Sequence, residues 1–187
     1  IAGACSKTIT GCTNYASVTG AEKGYSTNGY VGGIVGDGNV SNSENYGAVI
    51  GYKRFTGGIT GSGDATGCKN FADVTKGDKG SRTGGITGYG TAENSSNSGN
   101  VNGYSRVGGI CGNGDAVDCD NTGTVIGTTE LIGGITGYGG ASNSSNSGAV
   151  SGKTYVGGIA GYNQLGSIID CINTASVTAT GDYAGGI

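Results

Sequence analysis

The chain has 187 residues, 44 of them glycine, and it contains no proline, histidine, methionine or tryptophan. Its formal net charge is −3. Abundant glycine without proline excludes collagen, and an acidic total argues against nucleic-acid binding. The absence of histidine excludes Ser–His and Cys–His nucleophile systems and argues against zinc. No apolar run is long enough for membrane insertion. A chain of this length is expected to form one domain, and without histidine we predict no enzymatic activity, metal or cofactor.

The chain is built from a repeat whose anchor is Gly-Gly-Ile followed by Gly two residues later. After the second copy the anchor isoleucines recur every 24–28 residues, whereas the first, degenerate copy precedes the second by 33 residues; these isoleucines are Ile1, Ile34, Ile59, Ile86, Ile110, Ile135, Ile159 and Ile187. A constant motif with a drifting period indicates one structural unit with variable turns. We therefore predict coils that start near residues 1, 32, 57, 84, 108, 133 and 157, within a single domain over residues 1–187 that we expect to be a fragment of a longer array.

Four side-chain columns separated by two residues run through each copy. The first alternates between Cys and Ser: Cys12, Ser43, Cys68, Ser95, Cys119, Ser144 and Cys171. The second is always Asn: Asn14, Asn45, Asn70, Asn97, Asn121, Asn146 and Asn173. A small residue and then a Val follow, the latter being Val18, Val49, Val74, Val101, Val125, Val150 and Val177. A period of two is typical of a strand and predicts that all four columns face inward.

The invariant Asn column points to a specific architecture. Asn is depleted in strands, and a buried amide needs hydrogen-bond partners. Stacking each Asn on the Asn of the next copy supplies them as a ladder along the axis. We therefore predict an all-β parallel β-solenoid of about seven coils, with three short strands per coil, a longer first coil and an inward Asn ladder.

With these motifs the chain resembles the GLUG-motif repeats of bacterial surface proteins, which also occur outside the catalytic part of some IgA-cleaving metalloproteases. The resemblance rests on GGIVG (32–36), GGITG (57–61, 84–88, 133–137), GGICG (108–112) and GGIAG (157–161), each followed by Cys/Ser-x-Asn-x-Gly/Ala-x-Val. It implies a secreted, right-handed β-helical segment of a larger cell-surface protein, and it carries over no catalytic residue.

The six cysteines do not suggest a disulfide framework. The cysteines of the Cys/Ser column occupy alternate coils, about 9.6 Å apart, whereas a disulfide requires Cα atoms within about 7 Å. We expect small buried thiols there, and Cys5 and Cys111 have no predicted partner. Asp115, Asp118 and Asp120 cluster in one coil, which leaves a calcium site as a minor alternative.

Two surface features are candidates for binding. Tyr89, Tyr138 and Tyr162 share one register and predict an outward column, interrupted by Asn113. The turn between the Val column and the anchor carries eight of the ten bases and four of the thirteen acids; its candidate binding residues are Lys53, Arg54, Lys76, Lys79 and Arg82. A basic edge of this kind suits an anionic glycan or cell-wall polymer, and a solvated turn is the alternative. Tyr15, Tyr46 and Phe71 form a second outward aromatic run, which either covers the sheet or stacks on sugars.

The sequence therefore predicts a non-enzymatic extracellular module, a stalk or adhesin segment of a bacterial surface protein. Repeated outer faces on a stiff rod offer many weak contacts at high effective concentration. Two alternatives remain: a structural fibre subunit that self-associates end to end through exposed coil ends, and a glycan-binding face built from the Tyr columns and the basic turn.

Overall fold

The computed structural model describes residues 2–21, 29–52, 54–77, 82–164 and 166–187, and it is a parallel β-solenoid. Five sheets of seven strands each run along the axis, and every strand pairs in parallel with its equivalents in the coils above and below. The chain makes about six full turns between the first and the last strand of a sheet. The predicted fold class is confirmed, but the prediction of three strands per coil is wrong, because each coil contains five. The described residues include no helix of the length and apolarity that crossing a bilayer requires.

The sheets are numbered here in the order in which a coil visits them. Sheet 1 contains Ala2–Ala4, Val35–Asp37, Thr60–Ser62, Thr87–Tyr89, Cys111–Asn113, Thr136–Tyr138 and Ala160–Tyr162. Sheet 2 contains Ile9–Thr10, Val40–Ser41, Ala65–Thr66, Ala92–Glu93, Ala116–Val117, Ala141–Ser142 and Ile168–Ile169. Sheet 3 contains Thr13–Asn14, Glu44–Asn45, Lys69–Asn70, Ser96–Asn97, Asp120–Asn121, Ser145–Asn146 and Ile172–Asn173.

The other two sheets complete the coil. Sheet 4 contains Val18–Thr19, Val49–Gly51, Val74–Lys76, Val101–Gly103, Val125–Gly127, Val150–Gly152 and Val177–Ala179. Sheet 5 contains Tyr30–Gly32, Phe55–Gly57, Arg82–Gly84, Val107–Gly108, Glu130–Gly133, Thr154–Gly157 and Ala184–Gly185.

The Asn column forms a continuous ladder through the interior, as predicted. From Asn14 to Asn146 each Nδ2 donates to the Oδ1 of the Asn in the next coil at 2.8–2.9 Å. The Nδ2 of all seven Asn also donates to the backbone carbonyl two residues further along its own coil, at 2.7–3.0 Å. Both amide protons of the first six rungs are therefore used, which is what burial of these polar side chains requires.

The same Asn side chains account for one of the two strands per coil that were not predicted; the other is the sheet 1 strand that follows the anchor isoleucine. The columns from Cys/Ser to Val have a period of two and suggested a single strand, but the chain bends between sheets 3 and 4. Asn45, for example, donates from Nδ2 to the carbonyl of Gly47 and accepts from the Gly47 N–H at Oδ1. This side-chain-to-backbone pair replaces ladder bonds and makes a corner. All four columns still face inward, but they belong to two different sheets.

A left-handed residue makes the corner between sheets 2 and 3 in every coil. The φ angle of these residues lies between +47° and +65°, and the column is Gly11, Asn42, Gly67, Asn94, Asp118, Asn143 and Asp170. Gly, Asn and Asp are the residues that tolerate this conformation. The composition of the column therefore follows from the backbone.

Close backbone approach explains the three glycines of the anchor. A Cβ on the first one, Gly57, would lie 2.0 Å from the Thr60 carbonyl oxygen, and one on the second, Gly58, 2.1 Å from the Gly85 oxygen. The third glycine packs sheet 1 directly against sheet 5: a Cβ on Gly88 would lie 2.7 Å from the Thr56 nitrogen. No side chain fits at these positions, so the two sheets touch backbone to backbone.

Apolar clusters lie on both sides of the Asn ladder. One combines the anchor isoleucines with the inner residues of sheets 1 and 2 and the buried cysteines. The others join the Val column of sheet 4 to the inner residues of sheet 5. Between them each Asn packs over the second glycine of the anchor; a Cβ on Gly85 would lie 2.4 Å from the Asn97 Cγ.

All six cysteines are free, including Cys5 and Cys111. Ser and Cys side chains of this column both donate to the carbonyl two residues earlier, as Ser95 does to Glu93 and Cys68 to Thr66. The Ser95 hydroxyl in addition accepts from the Cys68 N–H, while the Cys68 thiol packs in the apolar cluster. Burial raises the pKa of the Cys68 and Cys111 thiols and raises that of Cys119 to about 11. These three thiols therefore stay protonated at neutral pH.

We expect this burial to appear as a pH-dependent loss of stability. The unfolded chain releases these protons near the ordinary thiol pKa of 9.0, whereas native Cys119 holds its proton up to about 11. The stability contribution is complete below about pH 9 and is lost as the pH rises toward 11. Urea unfolding at pH 8 to 10.5 should show a steeper decline for the native chain than for a triple variant, Cys68→Ser, Cys111→Thr and Cys119→Ser. Equal slopes would contradict the assignment.

Candidate functional site

The first residues of the sheet 5 strands and the last residues of the sheet 1 strands form two facing columns of side chains along one edge of the solenoid. We call this edge the arginine–aromatic stripe. The sheet 5 column is Tyr30, Phe55, Arg82, Arg106, Leu131, Tyr155 and Tyr183. The sheet 1 column is Asp37, Ser62, Tyr89, Asn113, Tyr138 and Tyr162. The stripe exists because the third anchor glycine lets the two sheets touch, which brings their edges together.

Ring contacts join the two columns at both ends of the stripe. Phe55 stacks on Tyr30, with 5.2 Å between ring centroids, and lies 5.4 Å from the tilted ring of Tyr89. At the other end Tyr155 stacks on Tyr183 at 4.7 Å and meets Tyr162 edge-on at 5.8 Å. Aromatic pairs in such geometries add stabilisation beyond the area they bury.

Arginines fill the middle of the stripe. The Arg82 guanidinium carbon lies 5.0 Å from the Phe55 ring centroid and 5.6 Å from that of Tyr89. Arg106 lies 5.6 Å from the Tyr138 ring, and Arg54, which precedes Phe55, lies 5.1 Å from the Phe55 ring. These are cation–π distances, so each guanidinium is held against an aromatic wall.

Positive charge surrounds Arg82. Its pKa is lowered from the ordinary arginine value, first by burial and then by the positive charges of Arg106 and Arg54. Among the described residues no carboxylate lies within ion-pair distance of Arg82 or Arg106. In the part of the chain that the structure describes, Arg82 and Arg106 are therefore two neighbouring positive charges with no carboxylate in ion-pair contact.

The backbone under the stripe is strained in the last four coils. Arg106, Leu131, Tyr155 and Tyr183 have φ angles of +47° to +63°. Bulky residues disfavour this conformation by about 1–2 kcal/mol each, and at the other left-handed corner every coil uses Gly, Asn or Asp. Such strain clusters at functional sites. The sheet 5 column therefore places bulky residues in the left-handed conformation, whereas the corner between sheets 2 and 3 uses only Gly, Asn or Asp.

The structure brings some of the predicted binding residues together. Tyr89, Tyr138 and Tyr162 share one register of sheet 1, as the sequence indicated, and Arg54 and Arg82 join them in the stripe. Lys76 instead ends a strand of sheet 4 and is only 9% exposed. Lys53 and Lys79 lie outside the described residues.

Several stripe residues were not among the predicted site residues, although the sequence contained a signal for them. The residue two places before each Gly-Gly is aromatic, arginine or leucine in all seven copies. By charge, the arginines belong with the lysines of the turn. Nothing in the sequence connects their position with the Tyr column, because that connection depends on the contact between sheets 5 and 1.

The other aromatic run behaves differently. Tyr15, Tyr46 and Phe71 stack on the outside of sheet 3 with ring centroids 5.2 and 4.6 Å apart. Neighbouring rings occupy one another's faces, so the stack presents mainly ring edges to solvent. A hydrogen bond to Glu44 raises the pKa of the Tyr46 hydroxyl. This arrangement fits cross-strand packing better than a platform for sugar rings.

The aspartates considered for calcium have separate structural contacts. Asp115 accepts from the Gly140 N–H, Asp120 accepts from the Ser145 hydroxyl, and Asp118 is a left-handed corner residue. Asp64 likewise accepts from the Thr91 N–H of the next coil. In the part of the chain that the structure describes, no group of three His, Cys, Asp or Glu side chains is arranged to hold a metal ion.

A comparison with protein-family models matches the GLUG motif to residues 152–178. That segment runs from the end of one sheet 4 strand to the next, and therefore spans one coil of the solenoid. No curated protein and no solved structure matches the chain. The molecule is thus a β-solenoid repeat domain that carries a GLUG motif.

Proposed function

We propose that this chain is a non-enzymatic structural and adhesive module of an extracellular bacterial surface protein, and that it adheres through the arginine–aromatic stripe. The observation that carries the proposal is the strain beneath the stripe. Four bulky residues keep a left-handed backbone where Gly or Asn would be free of strain. Leu131 is buried, but Arg106, Tyr155 and Tyr183 are at least partly exposed, and their strain is explained if their side chains have a task at the surface.

The scaffold suits this role. The Asn ladder and the anchor glycines make equivalent contacts from coil to coil, which favours a stiff rod with one continuous edge. Tyr89 and Tyr162 on that edge are 48% and 41% exposed, and so remain accessible. The resemblance of the repeats to those of bacterial surface proteins supports the extracellular location.

Adhesion under flow tests the proposal. Beads coated with the chain would be passed over cultured epithelial cells, and the fraction retained would be counted. The test variant is Tyr89→Ser, Tyr138→Ser and Tyr162→Ser. The matched control is Tyr15→Ser, Tyr46→Ser and Phe71→Ser, which removes three exposed rings from sheet 3.

We expect retention of native and control beads and about tenfold fewer beads with the stripe variant, since interface aromatics dominate binding energy. Circular dichroism melting would first establish that both variants fold. Equal retention of native and stripe-variant beads would refute a role for the stripe. Retention of native beads at the level of albumin-coated beads would refute the adhesive function itself.

A further inference from the structure

The centre of the stripe has the construction of an anion site. In the register of sheet 1, Asn113 lies between Tyr89 of the preceding coil and Tyr138 of the following coil. Arg82 and Arg106 come from successive coils, about 4.8 Å apart by strand spacing. Arg82 contacts the Tyr89 ring and Arg106 contacts the Tyr138 ring, so the two tyrosines flank the pair of guanidiniums.

Contacts within the protein fix these guanidiniums but leave hydrogen-bonding capacity. The Arg82 Nε donates to the Asn113 Oδ1 at 3.2 Å, which orients its planar group. The Arg106 Nε is buried and has no hydrogen-bond partner among the described residues. An unpaired buried donor costs about 1–3 kcal/mol, more when the group is charged. A guanidinium offers five donors, and the bond from the Arg82 Nε to Asn113 is the one hydrogen bond found for this pair among the described residues.

The charge around the pair favours an anion. Arg54, beside Phe55, and Arg106 both place positive charge near Arg82. A bound oxyanion would offset that charge and accept from the guanidinium forks, which match carboxylate, sulfate and phosphate geometry. Because the rings hold the guanidiniums in place, little side-chain entropy is lost on binding.

We propose that Arg82 and Arg106, oriented by Asn113 and walled by Tyr89 and Tyr138, bind the acidic groups of an acidic polysaccharide. The inference rests on the proposed adhesive function and names its ligand class. A polysaccharide fits the stripe because tyrosine offers an apolar face for a sugar ring and a hydroxyl for its polar groups. The stripe also continues along the axis through Tyr162 and Tyr183, as an extended polymer would require.

Binding to immobilised polymers tests the inference. The probes are polygalacturonate, heparin, uncharged dextran and single-stranded DNA, measured by biolayer interferometry over a range of salt concentrations. The test variant is Arg82→Gln with Arg106→Gln. The matched control, Lys7→Gln with Lys69→Gln, removes two positive charges outside the stripe.

We expect the native chain and the lysine control to bind an acidic polysaccharide, and the Gln variant to bind about tenfold or more weakly. The salt dependence should fall by roughly one unit of log–log slope per arginine removed. Arg82→Lys with Arg106→Lys should bind with intermediate affinity, because lysine keeps the charge but lacks the planar fork. Melting curves would show that each variant folds.

Three outcomes would overturn the inference: equal binding of dextran and polygalacturonate, unchanged binding by the Gln variant, or tighter binding to DNA than to either acidic polysaccharide. If beads adhere to cells while no acidic polysaccharide binds, the adhesive function stands and the ligand class is wrong. If neither occurs, the proposed function fails as well.

Discussion

Replacing Asn97 with Ala should destabilise the solenoid by about 4 kcal/mol. The Asn97 Nδ2 donates to Gly99 and to Asn121, and its Oδ1 accepts from Asn70. Its loss removes this partner from one donor, the Asn70 Nδ2, and from two acceptors, the Gly99 carbonyl and the Asn121 Oδ1, and an unpaired buried polar group costs about 1–3 kcal/mol. The ladder is also a continuous network, so the effect extends to neighbouring rungs. Urea unfolding followed by circular dichroism measures the change.

The control is Asn102→Ala, because Asn102 lies on the outer register of sheet 4 and is outside the ladder. We expect its effect to stay within about 0.5 kcal/mol, as for most surface substitutions. If both variants unfold at the same urea concentration, the ladder does not carry the stability that its geometry indicates.

Asn97→Asp adds a pH test of the same rung. A carboxylate has no proton to donate to Gly99 or Asn121, whereas the protonated acid supplies one. The native state therefore favours the neutral form, and the pKa of this aspartate should rise above its value in the unfolded chain. The variant's stability should be greatest below about pH 4 and should fall as the pH rises through the native pKa. A pH-independent difference from the native chain would contradict this assignment.

Gly109→Ala should prevent the native stacking of coils. A Cβ at this position would lie 2.1 Å from the Gly134 carbonyl oxygen and 2.4 Å from the Asn121 Cγ. Neither atom can move away, since the Gly134 oxygen belongs to the backbone and the Asn121 side chain is held in the ladder. We expect a loss of more than about 4 kcal/mol, the range of severe steric disruption, seen as a chain that is unfolded or melts far below the native one.

The same column contains its own control. Gly186 is the second glycine of the last anchor copy, and a Cβ there would meet no atom within 4 Å. Gly186→Ala should therefore change the melting temperature little. Equal melting temperatures for Gly109→Ala and the native chain would mean that the coils lie further apart than described.

Repetition made the interior predictable from sequence. An Asn at the same place in seven copies has few explanations other than a ladder, and the spacing of Val18 and its equivalents defined the inner face. The number of strands was not predictable in the same way. A period of two looks identical whether a strand continues or bends, and the bend depends on the hydrogen bonds that Asn45 makes with Gly47.

The candidate site was only half predictable for a related reason. The tyrosine register followed from alignment of the copies, but the facing column depends on contact between sheets 5 and 1. That contact depends on glycines such as Gly88, whose role becomes visible only when a Cβ is placed against the opposite backbone. Lys76 shows the converse: its position in the sequence suggested an exposed turn, yet it is buried at the end of a strand.

The stacking of coils also determines how the rod would respond to tension. Each coil bonds only to its two neighbours, through hydrogen bonds that run along the axis. A chain pulled from one end therefore loads the rungs of a single coil at a time, and the coils should peel off in sequence. Each detached coil of at least 24 residues would release about 80 Å of extended chain. A tether of this kind would lengthen in discrete unfolding steps and dissipate a sudden load while the remaining coils stay folded.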